Sequence, residues 1–113
     1  MFFFAFLTTA HGFEVQILDC YGKKKLGPHD LGGVIKTSGP LANASKPAGE
    51  WNNMRVMIKE GKLTVILNGK TVQDGLDLAA KKPKAKKLAD SGKIAIQDHG
   101  QEFSVRNLMV KKL

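Results

Sequence analysis

The sequence predicts an all-β sandwich or barrel of antiparallel strands joined by long loops. Three observations carry that expectation. Apolar and polar side chains alternate with a period of two over most of the chain from residue 51 onward. An Asn-Gly pair, Asn68-Gly69, stands between two alternating runs, where a tight hairpin needs positive φ at both central residues. Glycine- and proline-rich stretches separate much of the rest, with little helical periodicity.

Taken in order, "MFFFAFLTTAHG" is apolar and ends in small residues. It lacks a cationic n-region and its apolar core is at the short limit for a signal peptide, so a buried strand is the favoured reading. "GFEVQILD" (12–19) alternates Phe13, Val15 and Ile17 against Glu14, Gln16 and Leu18. Residues 20–50 read as long loops around one short strand near "GGVIK" (32–36). "MRVMIK" sets Met54, Val56 and Ile58 against Arg55, Met57 and Lys59, and "KLTVILN" sets Leu63, Val65 and Leu67 against Thr64, Ile66 and Asn68. With "KTVQD" after the Asn-Gly turn, residues 53–74 form a three-stranded meander. Residues 75–92 are a lysine-rich connection with room for a short helix near "LDLAAKK", limited by Pro83. "KIAIQD" (93–98) and "FSVRNLMVKKL" (103–113) are expected to pair around "HGQE".

The 113 residues suit one domain over 1–113, and no repeat or linker divides them. Hydrophobic content of 42% and charged content of 25% exclude wholesale disorder. A single cysteine, Cys20, excludes an internal disulfide framework. No apolar run reaches the length of a membrane span. The net charge of +8 raises polyanions as partners, but the lysine runs at 23–25 and 81–87 adjoin turn residues and lack interleaved aromatics. Solvated loops account for them better than a nucleic-acid site does.

"GFEVQILD", "NASKPAGEWN", "VILNGKTVQD", "GKIAIQDHG" and "FSVRNLMVKKL" together resemble the 3-keto-disaccharide hydrolase family over residues 12–113. The resemblance implies a concanavalin-like jelly-roll β-sandwich, here the C-terminal part of the family domain and hence a partial one. It also implies cleavage of glycosides already oxidised to a ketone at C3, and periplasmic or extracellular work in bacteria. Ala95 stands where the family usually has Gly, and "SVRN" replaces an aromatic-rich "VxFRN". The absent front strands imply a second copy or a partner chain covering the exposed face and edges.

Glu14 and His99 are the expected catalytic residues, and Gln16, Asp98 and Trp51 the expected substrate-binding ones, all carried by the matched motifs. Glucanases of this broad fold bear Glu-x-Asp-x-x-Glu, whereas this strand has Gln16 in the middle and no third acid. A paired-carboxylate glycosidase is therefore poorly supported. A C3 ketone acidifies the C2 proton, so one base and one acid suffice: Glu14 or His99 abstracts it, and the other assists the enolate or the leaving group. Asp98 is placed to orient the imidazole. The bland alternatives are a polar outward Glu14, and an Asx turn in which Asp98 caps amides while His99 meets solvent. A Trp opening a strand is more often core, which is the expectation for Trp51 by itself. Asn68-Gly69 is read as turn chemistry, Glu50 as a brace for the loop or Arg106, and Arg106-Asn107 as ties between the last strand and the sheet. His11 and His29 carry no assignment. A divalent metal held by His99 with Asp19, Glu14 or Asp98 suits the donor types, but no ligand spacing marks one. Competing functions are a carbohydrate-binding module on the same fold, a basic protein for polyanions, and an inactive fragment.

Overall fold

The computed structural model describes residues 2–8, 13–81, 93–98, 100 and 102–113. Its strands are β1 (Phe2–Thr8), β2 (Phe13–Leu18), β3 (Met54–Lys59), β4 (Lys62–Leu67), β5 (Lys70–Asp77) and β6 (Lys93–Asp98), with one helical turn, α1 (Leu78–Lys81). They form two antiparallel sheets, ordered β2-β1-β6 and β3-β4-β5. The all-β class expected from the alternation is the one the chain forms.

The meander of the second sheet follows its pattern. On β4 the buried residues are Leu63, Val65 and Leu67, while Lys62, Thr64 and Ile66 are wholly or partly accessible. Asn68 and Gly69 adopt φ of 51° and 82°, the left-handed pair that a tight hairpin requires. Strand β5 runs past residue 74 because its register shifts opposite Leu63–Ile66. Gly75, at φ 60°, sits in that irregular stretch, and its N–H is caught by Thr64 Oγ1 at 3.2 Å. Asp77 then starts α1, its carboxylate accepting the N–H groups of Ala79 and Ala80.

One core joins the sheets. Phe13 and Val15 of β2 cluster with Leu63, Val65 and Leu67 of β4, Val72 of β5, and Cys20, Leu31, Val34 and Leu78. The 20–45 loop is part of that core, and buried polar side chains hold it. Gln73 donates to the carbonyls of Gly32, Ser38 and Gly39 at 3.3, 3.3 and 3.0 Å. Asp30 accepts the Gly27 N–H at 2.7 Å and both its oxygens meet Lys23 Nζ, at 2.9 and 3.0 Å.

Two expectations are corrected here. The strand near "GGVIK" is reduced to isolated bridges at Val34, to Val15 and Ser38. Backbone bonds from Gln16 N–H to Gly33 O, from Gly32 N–H to Gln16 O and from Ile35 N–H to Glu14 O still run it along β2. The second correction concerns 103–113, which forms no strand and pairs with none among the described residues: β6 takes β1 as its partner, and residues 102–113 have no regular structure. Alternation is only half of what a strand needs, because the ladder must also find an edge. Val105, Leu108, Met109, Val110 and Leu113 accordingly stay exposed.

Candidate functional site

The register of the first sheet places the matched motifs. Glu14 stands in a row with Phe6 and Ala95, and Gln16 in the next row on that face with Phe4 and Gln97. Gln16 and Gln97 are thus two strands apart, about 10 Å across the sheet. Asp98 falls in the alternate set of rows, with Phe3 and Ile17. His99 lies outside the described residues.

Glu14 is partly buried, while Gln16 is 1% exposed. The alternation implied a polar, wetted face; at Gln16 that face is closed, and its Nε2 donates to Ile17 O at 3.3 Å. Gln97, partly buried, shares the row of Gln16 and was the neighbour the sequence reading passed over inside "QDHG". Two-strand register is the signal that finds it.

Trp51 lies instead in the loop that leads into β3, so the expected substrate-binding residues are divided between the first sheet and that loop. It is 44% exposed and therefore not core, which corrects the expectation drawn from its place before a strand. The Arg106 guanidinium stacks over its ring, 4.0 Å from the centroid. Arg106 thus ties the C-terminal segment to the 43–53 loop rather than tying a strand to a sheet. That loop is braced by asparagines. Asn68 Nδ2 donates to Ala44 O at 2.7 Å and to Asn52 Oδ1 at 2.8 Å, its Oδ1 accepts the Asn53 N–H at 2.8 Å, and Asn52 Oδ1 also accepts the Lys46 N–H at 2.9 Å. Asn68 does more than turn a hairpin.

The 19–45 region adds a groove of about 330 Å³ lined by Tyr21, Gly22, Lys23, Asn43 and Ser45. Beside it, burial pushes the Asp30 carboxyl up, but the Lys23 ammonium, the Gly27 N–H and the His29 charge outweigh burial and hold it below the usual carboxylate range. Asp19 caps the Tyr21 N–H at 3.2 Å. Among the described residues no group of three His, Cys, Asp or Glu side chains is placed to hold a metal ion. No helix among them is long and apolar enough to cross a membrane.

Residues 3–111 match the 3-keto-alpha-glucoside-1,2-lyase-like domain family, from within β1 to the C-terminal segment. The chain belongs to this family. The family match therefore takes in the apolar N-terminal strand as well as the motifs from residue 12 onward. A crystal structure of a Parabacteroides distasonis protein, provisionally named a glycosyl hydrolase, is similar at TM-score 0.63 and 30% identity over 88% of this chain. The chain spans 48% of that structure's length. No curated protein matches it. Family membership and this likeness support a carbohydrate-related, hydrolase- or lyase-like domain.

Proposed function

We propose that the chain cleaves 3-keto-glycosides by removing the C2 proton and expelling the C1 substituent, with water adding afterwards. The observation that carries this reading is the family match over residues 3–111, which includes the Glu14 strand and the "QDHG" motif with His99. Glu14 is the candidate base. It is partly buried on β2, one row from the closed Gln16. His99 is the candidate acid toward the leaving oxygen, with Asp98 preceding it as the orienting carboxylate. Gln16 and Gln97 are positioning residues in the adjacent row, and Trp51 supplies a ring face for the sugar.

In the chemistry, the base takes the C2 proton and its electron pair moves into the C2–C3 enolate. The enolate re-forms the C3 ketone and a C1–C2 double bond as the C1–O bond breaks, and the acid protonates the departing oxygen. Water then adds its hydroxyl to C1 and a proton returns to C2, so the net change is hydrolysis. A bacterial periplasmic or extracellular setting goes with the family reading, as does a second copy or partner chain along the open edges.

A second reading, a carbohydrate-binding module without turnover, is favoured by the span of 48% of the similar structure. Release of a chromophore from a 3-keto-glucoside separates the two. Wild-type turnover that Glu14→Gln and His99→Ala each reduce by about a hundredfold or more supports the catalytic reading. Saturable glycan binding with no turnover from a cooperatively folded chain replaces it with the second.

A further inference from the structure

We infer that the groove beside Tyr21 is a separate carbohydrate subsite that takes a neutral pyranose ring of an oligosaccharide, an inference that rests on the carbohydrate reading above. Its volume of about 330 Å³ lies at the lower end of small-ligand sites. Tyr21 lines it, 60% exposed, on a tight turn in which the Lys23 N–H meets Cys20 O at 3.0 Å and Gly22 takes φ 77°. Asp19 fixes the same turn through the Tyr21 N–H. An aromatic ring already presented to water loses little freedom when it stacks on the apolar face of a sugar.

The walls are held before any ligand arrives. Asn43 Nδ2 spans from Cys20 O at 2.7 Å to Lys23 O at 3.0 Å, and Asn43 Oδ1 accepts the Ser45 N–H at 3.1 Å. A pre-formed wall lowers the ordering cost of binding. Charge decides the ligand class. The chain as a whole is strongly basic, yet the groove's one cation, Lys23, is already neutralised by the buried Asp30 carboxylate. The Asn43 amide is spent within the wall and the Ser45 hydroxyl donates its proton to Asn43 Oδ1, so the Ser45 oxygen faces a ligand as an acceptor, which suits a sugar hydroxyl better than a carboxylate or sulfate. The groove also shares its frame with Trp51: Ala44, between Asn43 and Ser45, is bonded to Asn68, which bonds Asn52 next to Trp51.

The chain has one tyrosine and one tryptophan, so their ring resonances report the two places separately. Titration of the folded chain with cellohexaose, maltohexaose and an oligogalacturonate is expected to give a saturable shift of the Tyr21 ring with at least one neutral hexamer. By calorimetry Tyr21→Ala weakens that binding about fivefold or more, and Tyr21→Phe leaves it within about twofold. A Tyr21 ring that never moves overturns the subsite, even where Trp51 responds and turnover is intact. Tighter binding of the oligogalacturonate at Tyr21 overturns the neutral assignment.

Discussion

Replacing Asp30 by alanine removes the polar centre of the 20–45 loop. Three contacts go at once: the Gly27 N–H at 2.7 Å and the two Lys23 contacts at 2.9 and 3.0 Å. The Gly27 amide, left without its acceptor, costs about 1–3 kcal/mol. Lys23 contributes less, because its side chain is 53% exposed and recovers water, so its share is about 0.5–1 kcal/mol. Together Asp30→Ala destabilises by about 1.5–4 kcal/mol on these figures. Asp30→Asn keeps an acceptor for Gly27 and loses the charge, so it should cost about half as much. Urea unfolding at neutral pH, with all three proteins compared at equal m-value, reads these differences. Acid adds an independent signature. The folded carboxyl sits below its unfolded value of about 3.9, so its stabilisation is whole above that pH and is lost as pH falls through the folded value. Wild type should therefore lose more stability than Asp30→Asn between neutral pH and that acid range. An Asp30→Ala protein within about 0.5 kcal/mol of wild type, or an Asn variant as damaged as the Ala one, refutes the reasoning.

Three further outcomes follow from the packing. Leu63 is fully buried between the sheets, so Leu63→Ala should cost about 2–5 kcal/mol in the same assay. A Cβ on Gly33 would lie 2.5 Å from Pro28 O and 2.9 Å from Asp30 O, both backbone, so Gly33→Ala should lose about 1–3 kcal/mol and move amide resonances of residues 27–35. Arg106→Ala uncovers the Trp51 ring and should shift its fluorescence to the red while changing stability by no more than about 1 kcal/mol, and an unchanged spectrum contradicts the stack.

The meander and β2 were legible in the sequence because their determinants are local: alternation along each strand, and a turn dipeptide whose backbone needs are met by Asn68 and Gly69 themselves. The C-terminal segment misled for the complementary reason. "FSVRNLMVKKL" has strand composition, but whether a strand forms depends on an edge elsewhere, and β6 had β1. Non-local burial was equally hidden. Nothing around Gln16, Asp30 or Gln73 marks them as interior; they are buried because the 20–45 loop folds onto β2 and β5. Of the candidate site, the place of Glu14 on a strand could be read directly. Gln97, in the row of Gln16, and the exposure of Trp51 required the register and the path of the chain.

The most direct test of the central claim is the fate of the C2 hydrogen. The chain is given a 3-keto-glucoside and its unoxidised parent in heavy water, beside an enzyme-free control. The account predicts leaving-group release from the 3-keto substrate alone, with solvent deuterium at C2 of the sugar product above the control. Release from the parent glucoside, or a product that keeps its C2 hydrogen, contradicts it.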